Sequence, residues 1–183
     1  MNKYVFIILV SGFSCGQKEN HEQKETIAEN KSEAKTADKV RVEIFNDVES
    51  TRAKLSTVGI GDLGKWRDDE MGGFMSITSY YTFVESELNN LAYYLESDNS
   101  NYVTSLKLVL NINNKAGKGQ ALTKLTEVTE KTFNVLSLPL PDELLKSIKN
   151  EKPLIIDGEN FTSELKLEKS KIDSWTIKIT TKK

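Results

Sequence analysis

Between residues 102 and 113 the sequence reads YVTSLKLVLNIN, with Leu106, Leu108, Leu110 and Ile112 at every second position and Ser105, Lys107, Val109 and Asn111 between them. Successive side chains of an extended chain point to opposite sides, so this period of two describes a strand with one apolar and one wetter face. Such a strand does not suit a parallel sheet, whose strands are buried on both faces. It calls for an antiparallel sheet with one face on the core and the other toward water. The rest of the chain must supply partner strands and a layer that covers the apolar face.

Partner strands are legible on both sides. Residues 74–84 alternate, with Met75, Ile77, Ser79, Tyr81 and Phe83 on the more apolar side, which is expected to meet the core. Residues 85–90 (ESELNN) read as a turn and 91–96, with Tyr93 and Tyr94, as a second strand. The cluster SDNSN at 97–101 is a strong turn signal. Toward the C-terminus, residues 153–156 form a short strand stopped by Asp157 and Gly158. Phe161, Ser163, Leu165 and Leu167 alternate in one strand and Trp175, Ile177 and Ile179 in the next, a hairpin across KSKIDS. The lysines of this hairpin read as edge protection.

The covering layer is helical. Val40, Ile44, Val48, Thr51 and Leu55 lie at helical spacing over residues 39–55, with Asp47, Glu49, Arg52 and Lys54 on the wet face and Gly59 and Gly61 as the stop. Leu122, Leu125, Val128, Thr132, Val135 and Leu136 make the inward stripe of a helix over 121–136 that Pro139 ends. Pro141, Asp142 and Glu143 open a shorter helix, with proline at or near its first position and acids in its first turn. The expected fold is one α+β domain over 39–183. It has two groups of about three antiparallel strands with helices packed on one face, in the order α-βββ-αα-βββ. A domain of about 145 residues buries roughly 68–70% of its unfolded surface and needs no metal or disulfide to fold.

Ahead of the domain lie two segments of a different kind. Residues 1–14 (MNKYVFIILVSGFS) join a basic Lys3 to a short apolar run and end in small residues directly before Cys15. The run is too short to span a bilayer, which takes about 20 residues, and reads as a targeting segment. A leader of this form ending at a cysteine resembles a bacterial lipoprotein signal, although Gly12 stands where the usual motif has leucine. The resemblance covers about the first 15 residues. It implies a diacylglyceryl group on the Cys15 thiol, cleavage before Cys15 and acylation, palmitate included, of the new amine. Gly12-Phe13-Ser14 also fits an ordinary secretory cut. Residues 16–38 hold Ile27 as their one large aliphatic residue among Glu, Lys, Gln, Asn and Ala. They read as a flexible tether with a reach of roughly 25–30 Å.

The chemistry of the chain is restricted. The chain has one Cys and one His; Cys15 is the anchor position and His21 lies in the tether. A serine triad, a cysteine nucleophile, a zinc site and an internal disulfide are therefore not expected. With 25 basic and 27 acidic residues, the charge balance gives no reason to expect nucleic acid as a partner. No cofactor is expected.

The candidates for binding are Trp66, Arg67, Asp68 and Asp69 in the Gly-rich loop 58–73, together with Tyr80 and Tyr94 if they face outward. Trp66 offers a stacking surface and Arg67 a carboxylate grip, whereas the contiguous Asp68, Asp69 and Glu70 lack the alternation of a calcium loop. The Lys/Gly loop 113–120 lacks the leading glycine of a phosphate-binding motif and reads as a plain strand-to-helix turn. The leading expectation is a lipid-anchored, non-catalytic cell-envelope protein that binds or scaffolds a protein partner, on the periplasmic side of the outer membrane or, as the alternative, exposed at the cell surface. The alternatives are a small-ligand or glycan-binding lipoprotein and a carboxylate hydrolase drawing on Asp62, Asp68, Asp69, Glu70, Glu85 or Glu87.

Overall fold

The computed structural model describes residues 42–83 and 86–182, the side chains at 86 and 87 excepted. The leader, Cys15, the tether with His21, Val40 and the acids Glu85 and Glu87 therefore lie outside what is described. Among the described residues eight strands form one sheet: β1 (Arg67–Asp68), β2 (Phe74–Ile77), β3 (Tyr81–Phe83), β4 (Ser86–Ser97), β5 (Ser105–Ile112), β6 (Leu154–Asp157), β7 (Phe161–Lys169) and β8 (Asp173–Thr181). Their spatial order is β1-β2-β4-β5-β8-β7-β6, with β3 also paired to β4 and every pairing antiparallel. The two expected groups are thus one continuous sheet, joined where β5 meets β8. The helices are α1 (Val48–Ser56), α2 (Lys118–Val135) and α3 (Asp142–Lys149).

The alternation in β5 sets the layers. Leu106, Leu108, Leu110 and Ile112 are buried, and the register places Leu106, Leu108 and Leu110 opposite Leu95, Tyr93 and Leu91 of β4 and Ile179, Ile177 and Trp175 of β8. These residues make the inner face, covered by the helices. Leu125, Val128 and Phe133 of α2 and Leu144 and Ile148 of α3 join the same core, and the Phe133 and Phe161 rings meet at 6.2 Å. One buried polar contact crosses the layers, between the Tyr93 and Thr132 hydroxyls. Burial pushes the Tyr93 phenol well above its ordinary pKa.

Four expectations are corrected. First, the stripe over 39–55 is not one helix. Glu43–Asn46 is a 3-10 turn, and Asp47 sits in extended conformation with its carboxylate accepting Ser50 N–H at 2.9 Å. Asp47 is the N-cap of α1, not part of its wet face. Val48, Thr51 and Leu55 are still the buried positions.

Second, residues 74–84 are not one alternating strand. Ile77 faces Tyr94 while Tyr81 faces Leu91, so residues 78–80 stand opposite only 92 and 93. The extra residue reverses the faces. Ser76 and Thr78 point inward before it and Phe83 after it, whereas Met75 and Ile77 are only half-buried. The small inward side chains are bonded: Ser76 Oγ donates to Gly64 O at 2.7 Å and Thr78 Oγ1 accepts Tyr93 N–H at 2.9 Å.

Third, residues 86–90 belong to β4, with Asn89 fully buried. Fourth, the first half of the Gly-rich loop is core material. Val58, Ile60 and Leu63 are buried, and α1 holds them in place through Arg52 Nη2 to Leu63 O at 3.1 Å and Ser56 Oγ accepting Leu63 N–H at 3.0 Å. Gly59 and Gly61 adopt φ of 95° and 111°, which lets the segment turn tightly over β2.

Candidate functional site

Three regions compete for a functional role. The first is the turn after β1. Trp66 is half-buried, its ring stacks on Phe74 with centroids 6.2 Å apart, and its indole N–H donates to Ser100 O at 2.8 Å. The indole therefore closes the edge of the core. Asp69 Oδ1 accepts Met71 N–H at 2.9 Å and Gly73 N–H at 2.8 Å. Those backbone bonds, Gly73 first, hold its carboxyl below the usual carboxylate range. Asp68 accepts Glu70 N–H at 2.6 Å, and Glu70 itself sits at φ 63°. Both aspartates serve the local turn, and Arg67 lies exposed on β1 opposite Met75. Among the described residues no cluster of three or more His, Cys, Asp or Glu side chains is arranged to hold a metal.

The second region is the outer face of the sheet. Across it run Ile77, Tyr94, Lys107, Lys178 and Glu164 in one row and Ala92, Val109, Thr176 and Lys166 in the next. The twist of the sheet gives this face a shallow concavity of about 460 Å³ flanked by Tyr94, Glu96, Lys107, Lys166 and Lys178. It carries charges of both signs, with Lys107 on Glu96 at 2.6 Å, Lys166 on Glu168 at 2.5 Å and Lys178 opposite Lys107. Tyr80, displaced outward by the bulge and 60% exposed, brings its hydroxyl to 3.3 Å from that of Tyr94. Partial burial, with Tyr80 beside it, pushes the Tyr94 phenol up to about 12. The two tyrosines are thus brought together, but Trp66, Arg67, Asp68 and Asp69 do not line this concavity.

The third region was not visible as a site in the sequence. A cleft of about 680 Å³ opens between the 3-10 turn and α1 on one side, the α2–α3 connection on another, and the β6–β7 turn below. Its floor is Ile44, Leu136, Leu138, Leu140, Ile156 and Phe161, and its rim is Glu43, Asp47, Ser50, Lys54, Glu159 and Asn160. An apolar floor with a few polar groups at the mouth is the usual form of a ligand or peptide site. The cleft exists because residues 136–141 leave the helical path. Ser137 takes φ 55°, and Leu138 N–H bonds back to Phe133 O at 2.8 Å. Pro139 and Pro141 then keep the chain extended until α3 begins. The one sequence signal was Leu138 and Leu140, apolar residues alternating with Pro139 and Pro141 between two helices.

The Lys/Gly loop is structural. Lys115–Gly117 is a 3-10 turn in which the Asn114 side chain accepts Ala116 N–H at 3.0 Å, and Lys118 is ion-paired with Glu151. The acids considered for a hydrolase, Asp62, Asp68, Asp69 and Glu70, line neither cavity. No protein-family model, curated protein or solved structure matches the chain.

Proposed function

We propose that this chain is a binding protein of the bacterial cell envelope, held to the membrane by lipid on Cys15, whose domain carries a protein partner and no catalysis. The observation that carries the binding site is the cleft between α1, the α2–α3 connection and the β6–β7 turn, with its apolar floor and polar rim. The test has two arms. Cys15→Ala should move the protein from the membrane fraction to the soluble fraction; retention in the membrane contradicts the anchor. Amide shift mapping of the full chain with a panel of small apolar fragments should cluster perturbations on Ile44, Leu138, Leu140 and Phe161. Perturbations centred on residues 66–73 contradict the cleft.

A second reading, glycan binding on the outer face, is favoured by the Tyr80–Tyr94 pair beside a polar concavity. Stacking on a sugar face needs an exposed ring, and Tyr80 supplies one. Tyr80→Ala should abolish oligosaccharide retention on an affinity column while leaving cleft binding intact; unchanged retention removes this reading.

A further inference from the structure

The cleft adjoins an open sheet edge. β6 ends the strand order, so it pairs with β7 on one side only. Gly158 N–H bonds to Phe161 O at 3.0 Å. The antiparallel alternation then directs the amides of Leu154 and Ile156 into the β7 ladder and those of Ile155 and Asp157 outward. No hydrogen bond from these outward groups to other described residues occurs. The side chains divide in the opposite sense. Ile156 lines the cleft, while Ile155 stands 68% exposed on the outer face, one of the few large apolar side chains left in water. Edge strands are ordinarily protected against pairing; here Pro153 precedes the strand and the Asp157–Lys182 ion pair at 2.8 Å closes its end, leaving the centre open.

Resting on the reading of the cleft as the binding site, we propose that the partner is an extended peptide segment that adds to β6 as a further strand. Its outward amides would pair with Ile155 and Asp157. One apolar side chain opposite Ile156 enters the cleft, and its neighbour on the other face covers Ile155. A single occupant thereby accounts for the open edge, the empty apolar floor and the exposed isoleucine. The rim selects the flanking charge. Glu43, Asp47 and Glu159 face Lys54 alone, and neither Glu43 nor Glu159 has an ion-pair partner among the described residues. The peptide that fits has apolar residues separated by one position and a Lys or Arg beside them.

The test is selection of a displayed random dodecapeptide library on the immobilised full chain, followed by titration of the enriched peptides. Ile155→Ala, which keeps the N–H, is the control for the lost side chain; Ile155→Pro removes the outward N–H as well and leaves the β6–β7 ladder bonds intact. It should weaken binding about ten-fold or more, as should N-methylation of alternate peptide amides. Leu138→Asp should abolish binding; should that variant unfold, Lys54→Glu on the rim is the substitute and should tighten binding of basic peptides. Peptides that resist Ile155→Pro yet are lost with Leu138→Asp overturn strand addition and leave the cleft standing. Peptides indifferent to both changes overturn the cleft as well. No enrichment, or saturable binding by a synthetic peptide of this chain's own residues 16–41 in place of library sequences, overturns the proposal of an external strand.

Discussion

Asn89 is fully buried, and its carboxamide serves the backbone of one residue far along the chain: Nδ2 donates to Asn114 O at 3.0 Å and Oδ1 accepts Asn114 N–H at 2.8 Å. This reciprocal pair fixes the exit of β5 onto the start of β4 and so aims the chain into α2. Asn89→Ala removes both bonds. Each is worth about 0.5–1.5 kcal/mol net, and an orphaned buried group adds about 1–3 kcal/mol. Asn114 is half-buried, so water recovers part of its bonding, and the loss should be about 2–3 kcal/mol. For a domain of this size that corresponds to a fall in Tm of roughly 7–10 °C.

Asn89→Asp separates geometry from charge. A neutral carboxyl reproduces both bonds, with C=O accepting and O–H donating, whereas a carboxylate has no donor and confronts the Asn114 carbonyl. Its folded pKa should therefore lie above the unfolded value of about 3.9. The folded state then binds more protons between the two values, so stability relative to the parent falls as pH rises through that window. Below about pH 4 the variant should approach the parent, and near neutral pH it should be the weaker. Urea unfolding followed by far-UV circular dichroism from about pH 3 to about pH 8, with unchanged m, measures both. A cost below about 0.5 kcal/mol for Asn89→Ala, or an Asp variant whose pH profile runs parallel to the parent, would refute the clamp.

Three further outcomes follow from the same geometry. In a tyrosinate absorbance titration Tyr94 should ionise near 12 and Tyr93 only on unfolding; because both folded phenols are raised, stability should be lost as pH climbs past the unfolded value of about 10. Tyr93→Phe should remove the later transition alone. Leu110→Ala, at a fully buried position between Leu91 and Trp175, should cost about 2–5 kcal/mol in urea unfolding. A carbon-detected carboxyl titration should find Asp69 below the usual range, reflecting its bonds to Gly73 and Met71; a normal value contradicts its role as a turn cap.

The layers of the fold were legible because β5 and the β7–β8 hairpin alternate without interruption and because α2 keeps one apolar stripe. The faces of residues 74–84 were not. A bulge is set by how two strands pair, and the run FMSITSYYTFV alternates equally well with or without it. Asn89 looked like a turn residue because asparagine favours turns, and only the distant Asn114 backbone gives it a reason to be buried. Trp66, Asp68 and Asp69 drew attention as exposed chemistry in a glycine-rich loop, yet their polar atoms are committed to Ser100, Glu70, Met71 and Gly73. The cleft draws on three separate stretches, 42–54, 136–141 and 156–161, so no local pattern contains it. Tyr80 and Tyr94 were candidates only if they faced outward, which the sequence left open; the bulge is what brings their hydroxyls together on the outer face.

Binding in the cleft can be read by placing a photo-crosslinking amino acid in the full chain, in cells that make it, at Lys54 or Ser137 beside the cleft and at Met71 or Tyr80 elsewhere on the surface. A discrete adduct is expected from Lys54 and Ser137 and none from Met71. Adducts from Met71 or Tyr80 with none from Lys54 or Ser137 would contradict it.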